Sequence, residues 1–298
     1  MTVFIILTYL LLLIYCINQI SHTIEQENKQ RIFKLLNNFT KTIFFSFLTG
    51  IIICLITQSS SIVTILTISL VSAKILKLDK GLAIIIGSNI GTTLISLIIT
   101  LDIGQLYFFF ILIGVVLYFF KKEFLSHLLI HLGLAFLCLS LLEKELLNLF
   151  NDDFVNDLIL KSSNPITGVV SGTIISFLIQ SSAATIALTQ KLYMNNLLTP
   201  ILGISLMMGA NIGTTISGLL FSISSSTDAK RLALSSMLFN ILGVVLFVPF
   251  LYIYKESIST LNNTYLISLS HIYFNIITGI IGILFIKPLC YISKVIIT

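Results

Sequence analysis

Two tetrapeptides stand apart from the hydrocarbon around them: Gln58-Ser59-Ser60-Ser61 and Gln180-Ser181-Ser182-Ala183. Each interrupts a long apolar run, residues 42–73 and 163–198, near its middle. A serine hydroxyl donates and accepts, and a glutamine amide can donate to one partner while accepting from another. If each interruption is a turn into a second helical leg, the start of that leg adds unpaired N–H groups and about half an elementary positive charge. Such a tip suits an anion. Two tips meeting from opposite faces would enclose one tetrahedral oxyanion. Carbonyl oxygens ending the first legs, with hydroxyl and amide oxygens, suit a hard cation such as sodium.

A second motif, Gly-x-Asn-Ile-Gly-Thr-Thr, follows each tip at residues 87–93 and 209–215. Its glycines permit close backbone approach or local unwinding. Asn89, Thr92 and Thr93, and their partners Asn211, Thr214 and Thr215, supply neutral oxygens. Small residues also pack membrane helices together, but two matched copies behind two polar tips favour ligation. No Asp, Glu, Lys, Arg or His occurs in 42–73, 81–101, 162–190 or 192–227. The cargo would therefore be held by neutral donors, dipoles and a co-bound cation. A fixed charge at mid-membrane costs about 2.5–3.5 kcal/mol. Phe239-Asn240 and Phe274-Asn275 lie in apolar segments, where each asparagine is expected to bridge helices.

These motifs are copies. A shift of 122 residues places Gly50 on Gly172, Gln58 on Gln180 and Asn89 on Asn211, with 17 identities in 44 positions over residues 50–93 and no gap. Such self-similarity marks an internal repeat. The chain of 298 residues is 56% hydrophobic and 10% charged, far below the roughly 25% charge of soluble domains, so its solvent is lipid. The basic residues sit in short loops, which is no nucleic-acid signal. The four cysteines have no paired spacing and read as packing residues, and His127 and His131 read as a polar stripe facing the bundle. The fold class is all-α integral membrane, with about seven spanning helices and two re-entrant helical hairpins in inverted-topology repeats. The first repeat takes residues 1–122 (helix 3–20, hairpin 42–73, helices 81–101 and 105–120). The inverted second takes 123–252 (helix 124–142, hairpin 163–198, helices 201–222 and 232–252). A final helix and short cytoplasmic tail fill 253–298. The start reads as a retained helix rather than a signal peptide, since it lacks a basic beginning and a small-residue cleavage site. Treating both interrupted runs as hairpins puts the N-terminus outside, the C-terminus in the cytoplasm, and thirteen of the 17 Lys and Arg inside, as the positive-inside rule asks.

The paired Gln-Ser-Ser tips, each followed by Gly-x-Asn-Ile-Gly-Thr-Thr, resemble the type II sodium–phosphate cotransporters and their bacterial relatives over about 40–290. The resemblance implies sodium-coupled symport of inorganic phosphate across the cell membrane, with Gln58, Ser59, Ser60, Ser61, Gln180, Ser181 and Ser182 at the phosphate. Asn89, Thr92, Asn211 and Thr214 would complete the phosphate and sodium shell. Thr93 and Thr215, with the amide oxygens of Gln58 and Gln180, join the expected sodium ligands. Ala183 stands where the first tip has Ser61, so one hydroxyl is missing there. Many bacterial relatives carry a soluble C-terminal regulatory domain, for which this chain is too short. No organic cofactor and no enzyme activity are expected. His127, His131 and His271 lie outside the repeat motifs, too far in sequence to suggest a base for a serine hydrolase. Phosphate export, transport of another oxyanion, and a non-transporting scaffold are the competing readings, and formation of a homo-oligomer is left open.

The topology is testable. Single cysteines at positions 34 and 77 of a cysteine-free variant should react from the same, cytoplasmic face, and one at 153 from the outside. Labelling of 77 but not 34 from outside contradicts the first hairpin.

Overall fold

The computed structural model describes residues 4–9, 11–12, 15–16, 19, 23, 39–57, 59–100, 106–150, 164–259, 261 and 263–297. Gln58, Lys34, residues 151–163 with Asp153, and parts of the helix expected at 3–20 lie outside the described residues. Among the described residues all regular structure is helical, in the order α1 (Ile43–Thr57), α2 (Ser60–Ser72), α3 (Leu78–Thr100), α4 (Leu106–Phe119), α5 (Glu123–Phe150), α6 (Pro165–Ile179), α7 (Ser182–Met194), α8 (Pro200–Ser222), α9 (Thr227–Ile253), α10 (Lys255–Ser259), α11 (Leu266–Leu284) and α12 (Ile286–Ile296). Three of them, α8, α9 and α11, are long and apolar enough to cross a membrane. Their surroundings agree. On α6, Ile166, Val170, Ile174 and Leu178 form an exposed apolar stripe, which water would disfavour and acyl chains accept. The chain is a membrane protein.

The bounds of α1, α2 and α3 recur 122 residues later in α6, α7 and α8. Their packing recurs too. A Cβ added to Gly50 would lie 2.0 Å from the Ile84 carbonyl oxygen, and one on Gly172 would lie 2.1 Å from that of Leu206. From the other side, a Cβ on Gly87 would meet the Phe47 oxygen and one on Gly209 the Val169 oxygen, each at 2.0 Å. Each first leg therefore touches the long helix after its hairpin, α1 on α3 and α6 on α8, backbone to backbone, which only glycine permits. In membranes, where burial of apolar surface drives little, such close contact is the main source of helix association. Lys74 and Asn196, also 122 apart, both adopt φ 59° where the second legs end.

Two groups of chain ends lie apart. On one side the Ser226 N–H donates to Ser72 Oγ at 3.1 Å, and Arg231 Nε donates to the Ile297 carbonyl at 3.0 Å while pairing with Asp228 at 2.9 Å. A cavity of about 570 Å³ on this side is lined by Lys77, Asp79, Asp228, Lys287 and Lys294. At the other end of α9, Tyr252 donates to Asn164 Oδ1 at 2.7 Å. There Tyr193 donates to the Leu261 carbonyl at 3.2 Å, and buried Gln190 reaches Thr264 and Ser268. The 27 residues of α9, roughly 40 Å of helix, separate the two groups.

Several boundaries differ from those expected. The segment expected as a tail after 286 forms α12, whose Tyr291, Ile292 and Val295 are exposed while Leu289, Cys290 and Ser293 are buried. Its apolar positions recur every three or four residues, a period shadowed in sequence by Lys287, Pro288 and Lys294. Helix α5 runs on to Phe150, past the expected 142. His131 is half-buried against Tyr15, but His127 is exposed instead of facing the bundle. All four cysteines are buried, as packing residues are.

Gly50→Ala and Gly209→Ala should each destabilise the protein by about 1–3 kcal/mol through overpacking, despite alanine's better helix propensity. Gly218→Ala, where among the described residues a Cβ meets the Thr64 methyl at 3.1 Å and Ile68 at 3.6 Å, should cost far less. Thermal unfolding in detergent separates them, and equal effects would show that the backbone contacts do not matter.

Candidate functional site

Each tip is built the same way. Ser59 (φ −151°) and Ser181 (φ −146°) are extended N-caps, and their hydroxyls accept from the N–H three residues on, Ile62 at 3.3 Å and Ala184 at 3.2 Å. Serine caps a helix in this way because its short side chain reaches back to the first turn. The N–H groups of Ser60 and Ser61, and of Ser182 and Ala183, remain without an acceptor among the described residues. Gln180 turns the second tip in the left-handed region, φ 57° and ψ 23°. A side-chain-bearing residue there costs roughly 1–2 kcal/mol, and such strain persists where the surroundings impose it, often at functional sites.

The tips meet. Ser61 Oγ donates to the Gln180 carbonyl at 3.2 Å across 119 residues of sequence. Gln180 is exposed, Ser59, Ser60, Ser61 and Ser181 are half-buried, and Ser182 is buried. Gln58 lies outside the described residues, so its part in this contact is an expectation. Thr57, buried at the end of α1, donates to the Ile53 and Ser59 carbonyls at 2.9 and 3.3 Å.

The second motif begins at Gly87 and Gly209, nine residues after the first residue of α3 and of α8, because α3 starts at Leu78 rather than the expected 81. Its asparagines are engaged across helices. Asn89 Nδ2 donates to Asn240 Oδ1 at 3.0 Å, and Asn211 Nδ2 to Asn275 Oδ1 at 3.1 Å. Asn240 and Asn275 thus bridge helices, as expected of buried amides. The motif threonines donate backwards along their own helices: Thr92 to Ser88, Thr93 to Ile90, Thr214 to Asn211 and Thr215 to Ile212. A hydroxyl whose proton is so committed still offers oxygen lone pairs, which is what a hard cation needs. Thr92 also meets Cys54 Sγ at 3.4 Å.

Four buried hydroxyls that the motifs do not contain, those of Ser126, Ser176, Ser217 and Ser236, have no partner among the described residues. Ser217 sits two positions after the motif on α8, and Ser176 stands where Gly213 crosses α6. Isolated serines in an apolar run carry no signal that would separate them from packing residues. Among the described residues no group of three or more His, Cys, Asp and Glu could hold a metal ion.

Comparison with known proteins adds a family. The family described as Na+/Pi-cotransporter matches this chain twice, at residues 12–144 and 140–277. YjbB of Escherichia coli (strain K12), provisionally named an inorganic phosphate export protein, is 27% identical over 259 residues, 85% of this chain and 48% of YjbB. The uncharacterized protein YqeW of Bacillus subtilis (strain 168) is 28% identical over 219 residues, 72% of this chain and 71% of YqeW. The human sodium-dependent phosphate transport protein 2B is 31% identical over 93 residues, 29% of this chain and 14% of that protein. The chain spans about half the length of YjbB. No solved structure matches.

The asparagine pair gives a structural test. In a double-mutant cycle, Asn89→Ala and Asn240→Ala should show a coupling of about 0.6–1.7 kcal/mol, the range for hydrogen bonds between membrane helices. Additive losses on unfolding would mean that the pair does not form.

Proposed function

Because the chain belongs to the Na+/Pi-cotransporter family, we propose that it is a sodium-coupled symporter of inorganic phosphate in the cell membrane. In this reading phosphate sits between the two Gln-Ser-Ser tips of two inverted repeats. The observation that carries it is the contact of Ser61 with the Gln180 carbonyl, which joins two helix starts that still have N–H groups to donate. Gln58, Ser59, Ser60, Ser61, Gln180, Ser181 and Ser182 would hold the anion, with Asn89 and Asn211 behind them. Thr92, Thr93, Thr214 and Thr215, with the amide oxygens of Gln58 and Gln180, would hold sodium.

The inverted arrangement draws its support from the ends of the helices. α2 returns to the side where Ser72 meets Ser226, and α7 returns to the opposite side, where Tyr193 meets Leu261. The legs are 15 and 13 residues long in both tips, about 22 and 20 Å. That length passes the middle of a roughly 30 Å core without crossing it, which is the form of a re-entrant hairpin. The side bearing Lys77, Arg231 and Lys294 would be cytoplasmic. Broken helices that present their starts to an anion at mid-membrane fit alternating access about a fixed site.

Phosphate carries between one and two negative charges near neutral pH. The site lining holds no full positive charge, so a cation that shares the site offsets the anion during crossing. The name of YjbB speaks of export, and a site of this kind runs in whichever direction the gradients favour. Export is therefore the second reading.

Purified protein in liposomes should accumulate phosphate under an inward sodium gradient and not when potassium replaces sodium. Gln180→Gly should keep or raise stability, since it relieves the left-handed residue, yet lower uptake by about 10- to 150-fold through the lost hydrogen bond to a charged ligand. Equal uptake in potassium would remove sodium coupling, and normal uptake by Gln180→Gly would remove the tip assignment.

A further inference from the structure

Four groups behind the proposed site form one chain of hydrogen bonds whose direction two backbone carbonyls decide. Asn275 Nδ2 lies 3.3 Å from the Asn89 carbonyl and 2.7 Å from His271 Nε2. A carbonyl only accepts, so the Asn275 NH2 group must face it. Its second proton then points at His271 Nε2, which must accept. At the other end, Ser96 Oγ donates to the Thr93 carbonyl at 2.9 Å and lies 3.0 Å from His271 Nδ1. The serine proton is therefore spent, and Nδ1 must carry the hydrogen. With Asn275 Nδ2 so placed, its Oδ1 faces Asn211 Nδ2 at 3.1 Å and accepts. His271, Ser96 and Asn275 are all 0–1% exposed, out of reach of bulk solvent.

We propose that His271 is a positioning residue, held as the neutral Nδ1–H tautomer, whose Nε2 fixes the Asn275 amide that ties the asparagines of the two motif copies together. Asn89 lies on α3, Asn211 on α8 and both His271 and Asn275 on α11. α11 is thus a shared strut between the two repeats. In the other tautomer, an Nε2–H would face the Asn275 N–H, donor against donor. Asn275 would then turn, and both the Asn211 and the Asn89 contacts would be lost. The motif segments hold no histidine, yet this one stands two hydrogen bonds from Asn211.

The effect on transport rests on the proposed function, but the tautomer does not. The full chain, labelled with ¹⁵N-histidine in lipid, has four histidines, and His271→Gln assigns the signal of His271. At neutral pH its nitrogen shifts should report a protonated Nδ1 and a bare Nε2. A protonated Nε2, in either the neutral or the charged ring, overturns the proposal whatever the protein transports. In liposomes, His271→Gln places an acceptor near the Nε2 position and should keep uptake within about threefold of wild type. His271→Asn keeps only a donor toward Ser96 and should lose about tenfold, one hydrogen bond's worth. Equal losses in the two variants overturn the positioning role. If the wild type itself moves no phosphate, the proposed function fails while the tautomer result still stands.

Discussion

A helix that starts inside a membrane leaves its first N–H groups without intrahelical partners, and hydrocarbon cannot supply any. α2 and α7 start in this way if their hairpins are re-entrant. Ser59 and Ser181 each satisfy one N–H, and the next two positions stay open. In the proposed arrangement an anion completes what the cap leaves. Such a start is tolerable only against protein or a wet cavity, so the rest of the bundle has to hold two tips together at one place. The glycine seams do this. Because Gly50, Gly87, Gly172 and Gly209 let backbones touch, the first legs are held rigidly on α3 and α8, and the tips that follow them inherit that position.

The same economy explains why the lining is neutral. Hydroxyls and amides are cheap to bury only when bonded, and the described ones nearly all are. Threonine protons go to the previous turn, and asparagine amides go to asparagines of α9 and α11. Committed donors leave acceptor lone pairs unused, which in the proposed arrangement would favour a cation. Uncommitted N–H groups at the tips favour an anion. In the proposed arrangement two kinds of ligand would be separated with neutral groups alone.

Much of this is visible in sequence because it is local. The repeat offset of 122, the polar tips and the glycine spacing are patterns along the chain, and the three helix pairs that carry them recur at that offset. Long-range partners were less visible. Asn240 and Asn275 read as helix bridges, but nothing in their neighbourhood says that one meets Asn89 across 151 residues and the other Asn211 across 64. His271 reads as remote from the motifs, because hydrogen bonds through Ser96 and Asn275 follow from packing and not from spacing. The helical tail was hidden by Pro288, which a first helical turn accommodates without losing a hydrogen bond. His127 and His131 share a helical face in sequence. The outward turn of His127 depends on how α5 lies against α4 and the N-terminal segment.

In the proposed arrangement two separate helix starts hold one anion. A structure of the protein in a lipid nanodisc with sodium and arsenate, a tetrahedral stand-in for phosphate with strong scattering, tests it most directly. The account predicts a single arsenate between residues 59–61 and 180–182, within hydrogen-bond distance of N–H groups from both tips. Arsenate bound to one tip alone, or only in the lysine-lined cavity beside Lys77 and Lys294, would contradict it.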